Sequence, residues 1–444
     1  MLRYLLNRVK LTPPRVLAAG FLIIIFIGTV LLSLPEAAAS GQPLHVIDAL
    51  FMATSATCVT GLSVVDTSTQ FSLFGEIVLL AMVQLGGLGF MTTITWILLA
   101  VKKRISLQER LILKESLNQE HMEGILRLII RVFLYSITFE GAAAVCFALR
   151  WSLEMPWGQA VYFGLFHAVS LFNNAGIELL GGLQPYVNDP VINVVSMLLI
   201  LFGGIGFIVI SELIEYPKTR RLSLHSKIVL YMTGLLTVIG AIVIFIFEST
   251  NKATLGPLGL DTKLLAALFQ SVSLRSGGVN TIDIAGLREA TQFFMIIMMF
   301  IGSAPGSTGG GIKITTFAIL IGALLSMLRG KQDVVLLRYR IPSGDIHRAV
   351  MHTMIGVFLL VIAAMLLSVV QDQHFLMLLF EAASAFGTVG LSMGLTAQLT
   401  LAGKMIIIAM MFIGRIGLVT LALALQPKPK KELYRYPEGS MIIG

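Results

Sequence analysis

Four short loops carry polar residues and glycine within otherwise apolar sequence. In chain order they read Cys58-Val59-Thr60-Gly61, Asn173-Asn174-Ala175-Gly176, Arg275-Ser276-Gly277-Gly278 and Gly387-Thr388-Val389-Gly390. None of them contains a carboxylate, so their chemistry rests on backbone carbonyls, which can replace the water shell of a dehydrated monovalent cation. Glycine allows the conformations that turn successive carbonyls to one side. The loops therefore predict a cation site built from converging backbone oxygens.

The loops recur at a regular interval. Their last glycines lie 115, 102 and 112 residues apart, so each repeat unit is about a quarter of the chain. Before each loop comes a short apolar segment, near 45–56, 158–171, 262–274 and 374–385, whereas a helix needs about 20 residues to cross a ~30 Å hydrocarbon core. Such half-helices must be buried in protein. We predict an all-α integral membrane fold, with four helix–pore-helix–filter-loop–helix repeats around one pseudo-fourfold pore.

The composition supports a membrane protein. The chain of 444 residues is 56% hydrophobic and 13% charged, against roughly 25% charge in soluble domains, and its mean hydropathy of +0.88 excludes an ordinary soluble enzyme. Eight stretches are predicted to span, near 16–34, 71–101, 125–149, 190–214, 226–247, 288–328 (interrupted), 347–370 and 400–425. The second is expected to continue as one helix from Glu76 to about Asn118.

The placement of charge predicts the orientation. Of 32 Lys and Arg residues, 24 lie at the N-terminus, in 102–131, 218–227 and 329–348, and after Gln426. The positive-inside rule therefore places both termini in the cytoplasm of a multi-pass protein. Net charge +8 is ascribed to this topology and to anionic lipid, not to nucleic acid. The expected repeats are 1–118, 119–217, 218–346 and 347–426, followed by a cytoplasmic tail, 427–444.

The sixth stretch is interrupted by Ser303-Ala304-Pro305-Gly306-Ser307-Thr308-Gly309-Gly310-Gly311, which we call the interrupting loop. This composition does not support an α-helix. A phosphate-binding loop is disfavoured, because Ile312 separates Gly311 from Lys313 and the flanks are apolar helices. The residues leave two readings open, a structural kink and a mobile segment.

Arg415 lies in the last predicted span with apolar residues on both sides. An arginine at that depth costs about 2.5 kcal/mol or more, so it is expected to face a cavity or a partner. An interhelical salt bridge and a pore-facing position both remain open.

Two sequences make the resemblance to a known family specific. Phe-Asn-Asn-Ala-Gly at 172–176 and Ala-Phe-Gly-Thr-Val-Gly-Leu at 385–391 resemble the Trk/Ktr/HKT superfamily of potassium transporters, and the compact length resembles its KtrB-type membrane subunits. The resemblance implies potassium conduction past Gly61, Gly176, Gly278 and Gly390. It also implies that the interrupting loop gates the pore, with Lys313 nearby, and that Arg415 is an electrostatic barrier below the filter.

The same resemblance predicts partners. It implies a homodimer in the plasma membrane, regulated by a ring of soluble nucleotide-binding proteins on the basic cytoplasmic face. No cofactor bound by this chain is expected; potassium is the substrate, and a role for sodium stays open. The chain shows no catalytic constellation, so no enzyme is expected.

The main alternative is a sodium-coupled secondary transporter with alternating access, since broken helices at mid-membrane also mark transporter sites. It predicts pairwise inverted repeats, whereas the four loops recur in one orientation.

Overall fold

A computed structural model describes residues 13–89, 92–93, 95, 111 and 125–417. The helices are α1 Pro13–Leu32, α2 Val46–Cys58, α3 Thr67–Gln70, α4 Leu73–Leu88, α5 Ile125–Trp151, α6 Trp157–Phe172, α7 Pro190–Gly204, α8 Phe207–Thr219, α9 Leu224–Glu248, α10 Leu260–Ser273, α11 Glu289–Phe300, α12 Ile314–Leu328, α13 Ser343–Val370, α14 Phe375–Gly387 and α15 Leu401–Ile416. Single 3-10 turns form at Pro35–Ala37, Gln184–Tyr186 and Thr396–Gln398. A hairpin of β1 Val335–Leu336 and β2 Tyr339–Arg340 joins α12 to α13.

The short helices α2, α6, α10 and α14 lie where the sequence predicted them. Each ends at one of the four polar loops, and at least half of its residues are buried, including Phe51, Phe166, Phe269 and Phe380. Longer helices surround them and expose large apolar side chains, such as Phe26 and Phe358, as a lipid-facing surface does.

Among the described residues, α1, α5, α9 and α13 are each long and apolar enough to cross a membrane, and α7 with α8 qualifies as a bent pair. The predicted continuous span 190–214 is wrong, because the chain turns by 102° between α7 and α8. The expectation of one helix from Glu76 to Asn118 is also wrong, because α4 ends at Leu88. Much of that segment, the end of the eighth predicted span and the tail lie outside the described residues.

The same kind of glycine lies at three helix ends. Gly89 follows α4 with φ 81°, Gly206 lies between α7 and α8 with φ 89°, and Gly417 follows α15 with φ 88°. Each has ψ between 130° and 145°. Side chains rarely allow this backbone conformation, which glycine adopts easily. The apolar pattern continues past each glycine, which is why composition alone predicted unbroken helices.

The interruption of the sixth span is confirmed, since α11 ends at Phe300 and α12 begins at Ile314. Three backbone hydrogen bonds join its two sides. They run from Gly302 N to Ile312 O at 2.8 Å, from Ile312 N to Phe300 O at 3.4 Å and from Ile314 N to Ser303 O at 3.2 Å. The interrupting loop thus begins and ends at neighbouring points of one interrupted span. The limits of the four repeats stay a prediction.

Candidate functional site

The four polar loops share one backbone plan. The residue two positions before the last glycine is left-handed in every loop: Val59 at φ 56°, Asn174 at 60°, Ser276 at 66° and Thr388 at 47°. Residues other than glycine seldom adopt this region. It costs of order 1–3 kcal/mol and persists where the surroundings hold it, often at functional sites. Four equivalent instances indicate a backbone shape that the packing imposes.

A serine in each short helix holds the loop that follows it. Ser55, Ser170 and Ser384 accept through their carbonyl oxygens from Thr60 N, Ala175 N and Val389 N, each at 2.8 Å, and Ser273 accepts from Gly277 N at 2.7 Å. The hydroxyls of Ser55 and Ser384 also accept from Gly61 N and Gly390 N, both at 3.1 Å. The other two hydroxyls donate to Ile177 O and Val279 O.

Our reading of the sequence missed these serines. A signal was present, because Ser55, Ser170 and Ser384 each lie six residues before the loop glycine, and Ser273 lies five before it.

Gly61, Gly176, Gly278 and Gly390, here called the loop glycines, form a closed ring. A Cβ added to Gly61 would lie 3.3 Å from the Cα of Gly176, and one added to Gly176 would lie 2.5 Å from the Cα of Gly278. A Cβ on Gly390 would lie 3.0 Å from the Cα of Gly278 and 3.1 Å from that of Gly61. The tertiary structure therefore brings together four backbones separated by about a hundred residues each.

Carbonyl oxygens meet at this ring. The oxygen of Thr60 lies against Gly390, that of Ala175 against Gly61, and that of Val389 3.0 Å from the Cβ position of Gly278. These oxygens belong to the residues just before three of the loop glycines. The short helices also direct their C-terminal ends toward the loops, where the helix dipole favours a cation.

All four loop glycines line one cavity of about 340 Å³. Asp66 and Glu178 also line it, and no Lys or Arg does so among the described residues. One oxygen of Glu178 is buried without a hydrogen-bond partner among them. The cavity therefore joins the ring to two carboxyl side chains.

Other predicted site residues do not line this cavity. Cys58 and Asn173 are fully buried, and Arg275 is 4% exposed. The Nε and Nη1 atoms of Arg275 have no hydrogen-bond partner among the described residues.

Glycines of the longer helices support the loops from behind. A Cβ on Gly86 would overlap the carbonyl oxygen of Thr57, one on Gly203 that of Phe172, and one on Gly414 that of Phe386. Each of these oxygens lies at the end of a short helix. These three glycines thus permit close approach of two backbones at three of the four short helices.

The interrupting loop fills the break between α7 and α8. Ala304 N donates to Gly204 O at 3.0 Å, and Thr308 N donates to Gly203 O at 3.2 Å. In return, Phe207 N, at the start of α8, donates to Gly306 O at 3.0 Å. These bonds satisfy backbone groups that the helix break leaves free.

The interrupting loop also contacts the ring region. Gly310 N donates to the Thr388 hydroxyl at 2.8 Å, so the loop touches the fourth polar loop directly. Lys313 donates through Nζ to Gly309 O at 2.7 Å. Ser303, Ala304 and Thr308 are fully buried.

Arg415 connects the interrupting loop to α4. Its Nη1 donates to Thr308 O, and its Nη2 donates to Gly86 O and, at 3.1 Å, to Gly87 O. Within the described part of the chain the structure gives Arg415 no ion pair with a carboxylate. The guanidinium thus binds carbonyls at the C-terminal end of a helix, a position that favours a cation.

Comparison with known proteins identifies the family. The TrkH family, described as cation transport proteins, matches residues 8–435. The chain is 43% identical over 437 residues to "Ktr system potassium uptake protein B" of Bacillus subtilis, covering 98% of each chain. It is 38% identical over 445 residues to "Potassium/sodium uptake protein NtpJ" of Enterococcus hirae, again covering 98% of each.

The fold also matches a solved structure. The crystal structure of the potassium transporter TrkH from Vibrio parahaemolyticus aligns with a TM-score of 0.73 over 92% of this chain and 85% of that one, at 19% identity. The resemblance that the loop sequences suggested is confirmed, and these relatives are transporters, as expected for a chain without a catalytic constellation. The chain belongs to the TrkH family of cation transport proteins.

Proposed function

We propose that this protein is the ion-translocating membrane subunit of a potassium uptake system. Its four polar loops act as a selectivity filter, within four repeats around one pseudo-fourfold pore. The observation that carries the proposal is that the four loop glycines form a closed ring and all line one cavity. Since relatives from two bacteria are named potassium uptake proteins, potassium is the ion that we assign.

The chemistry of the ring fits a monovalent cation. Carbonyl oxygens of Thr60, Ala175 and Val389 meet there, and such oxygens replace a hydration shell without carrying formal charge. Asp66 at the cavity raises the local concentration of cations. The polar loops themselves hold no carboxylate, which disfavours tight binding of divalent cations.

The interrupting loop is the gate in this proposal. It is held by hydrogen bonds to the ends of α7 and α8, to Thr388 and to Arg415. Arg415 and Lys313 add positive charge beside the loop, which opposes cation passage while the loop is in place.

The subunit works within a larger assembly in this proposal. We place it as a homodimer in the plasma membrane, with both termini and the basic loops in the cytoplasm, where a nucleotide-binding regulatory ring docks. The name "Ktr system" of two relatives supports a multi-component system. Sodium is assigned no fixed role, although one relative is named for both ions.

The test is potassium uptake in cells that lack their own potassium transporters, with a soluble nucleotide-binding regulator co-expressed. The intact chain should support growth at low potassium. Gly278→Ser adds a side chain where a Cβ would lie 2.7 Å from the Cα of Gly176, so it should lower potassium uptake and admit more sodium. Gly234→Ala is the control, because a Cβ there meets nothing within 4 Å.

Two results would contradict the proposal. Uptake that is absent with the intact chain, although it folds in the membrane with its regulator, would refute potassium translocation. Potassium and sodium uptake that Gly278→Ser leaves unchanged would refute the filter. The alternative, a sodium-coupled transporter with alternating access, predicts that potassium uptake by the intact chain stops when external sodium is removed.

A further inference from the structure

A buried carboxylate lies beside the second polar loop, on an element outside the loops. Glu140 lies in the middle of α5, next to Gln84 on α4 and Asn173 at the end of α6. We propose that Glu140 is a positioning residue that fixes the second polar loop through Asn173 and thereby sets ion discrimination at the ring. The inference rests on the proposed filter function.

The three side chains form one hydrogen-bonded cluster. Asn173 Nδ2 donates to Gln84 Oε1 at 2.6 Å and to Glu140 Oε1 at 3.2 Å, and it also contacts Val169 O at 2.9 Å. Gln84 Nε2 donates to Glu140 Oε1 at 3.2 Å and to Oε2 at 3.3 Å. Both carboxylate oxygens of Glu140 therefore face amide N–H groups.

The carboxylate is held by amides alone in the described part of the chain. Glu140 is 5% exposed and Asn173 is fully buried, and among the described residues no lysine or arginine forms an ion pair with Glu140. A buried carboxylate that loses its donors is costly. The cluster therefore strongly restrains the Asn173 side chain.

The opposite side of Asn173 is restrained as well. Its Oδ1 lies against Gly87, where a Cβ would overlap it. The amide is thus held between the carboxylate on one side and a glycine of α4 on the other. Two repeats meet here, because α4 belongs to the first and α5 and α6 to the second.

Asn173 is close enough to the ring to transmit this restraint. It directly precedes the left-handed Asn174, and the carbonyl of Ala175, one residue further, lies against Gly61. Planar peptides separate Asn173 from that oxygen, so a displaced Asn173 displaces an oxygen of the ring. Discrimination between potassium and sodium depends on the position and number of such oxygens.

The other loops have no counterpart of this amide. The residues that precede their left-handed positions are Cys58, Arg275 and Gly387. None of them has a carboxamide that can donate to a carboxylate. The cluster is therefore a feature of the second loop, and a change in Glu140 acts on that loop first.

The test exchanges the carboxylate and the amide. Glu140→Gln directs an amide N–H group at other amide N–H groups, and Gln84→Glu brings two carboxylates together. Each single variant should raise the ratio of sodium to potassium uptake on the order of fivefold, the scale of one lost hydrogen bond. The double variant again has one carboxylate and two amides, so it should recover most of the original ratio.

Controls separate positioning from folding and from the filter itself. Gly141→Ala changes the adjacent residue, where a Cβ meets nothing within 4 Å, and should leave the ratio unchanged. Thermal unfolding of each purified variant reports its stability. Glu140→Asp keeps the charge but withdraws it by one methylene, and it serves if the exchange variants do not fold.

Three outcomes would overturn the inference. The first is a folded Glu140→Gln or Glu140→Asp protein that keeps the original ratio. The second is a double variant no closer to that ratio than the singles. The third is a ratio of sodium to potassium uptake that Gly278→Ser leaves unchanged, a result that would refute both the proposed filter and this inference. A ratio that shifts in Gly278→Ser but not in the Glu140 variants refutes the inference alone.

Discussion

Replacing Arg415 by glutamine tests the gate most directly. The guanidinium bonds Thr308 O in the interrupting loop and Gly86 O and Gly87 O at the end of α4. Glutamine is shorter, carries no charge and cannot reach both segments at once. The variant should therefore release the interrupting loop from α4 without removing either segment.

The size of the effect follows from the bonds that are lost. A hydrogen bond from a charged donor contributes about 1.5–3 kcal/mol. Loss of about 2 kcal/mol from the closed state raises the ratio of open to closed protein about 30-fold, because 1.4 kcal/mol corresponds to a factor of ten. Potassium flux should rise by up to that factor where the open state is rare.

The measurement is the initial rate of potassium flux into lipid vesicles that contain the purified chain without a regulator. Arg415→Lys separates two effects, because it keeps the charge but loses the forked donor geometry. If the lysine variant has the same potassium flux as the glutamine variant, the hydrogen bonds of Arg415 hold the interrupting loop closed. If its flux is as low as that of the original protein, the positive charge itself opposes cation passage. A folded glutamine variant whose flux is equal to or below the original would refute the reasoning for both.

Two further predictions concern how the ring is supported. Ser384→Ala removes the hydroxyl that accepts from Gly390 N at 3.1 Å, so it should lower the free energy of unfolding by about 1 kcal/mol and weaken potassium selectivity in uptake assays. Ser368→Ala is the control, because its exposed hydroxyl donates within its own helix, and it should change neither quantity. Equal effects of the two variants would contradict the role of Ser384 in holding the loop. Gly203→Ala places a Cβ on the carbonyl oxygen of Phe172, the last residue of α6. Thermal unfolding should therefore show a free energy of unfolding lower by about 1–3 kcal/mol, and potassium uptake should fall. Gly234→Ala, with open space around its Cβ, should change neither stability nor uptake. A Gly203→Ala protein as stable and active as the original would show that α7 can move away from α6.

Features set by local sequence were predictable. The short helices ending at Cys58, Phe172, Ser273 and Gly387 were placed within a few residues, because their length and their glycine-containing ends are local properties. The non-helical character of the interrupting loop was predictable for the same reason, since proline and clustered glycines disfavour a helix whatever surrounds them.

The helix ends at Gly89 and Gly206 show the limit of local reasoning. Gly-rich apolar helices often continue without interruption, because close packing explains their glycines equally well. At Gly206 the interrupting loop fills the break and satisfies its free backbone groups. That loop lies about a hundred residues further along the chain, so only the tertiary structure decides that the helix breaks there.

The sequence alone determined the membrane class, the repeated short helices, the four polar loops and the position of an isolated Arg415, because composition and spacing specify these locally. Tertiary structure decided which atoms meet. It closed the loop glycines into a ring, brought Arg415 to carbonyls 107 and 329 residues away, and placed Glu140 beside Asn173, 33 residues further on. Such contacts depend on how whole helices pack, and no short stretch of sequence contains that information.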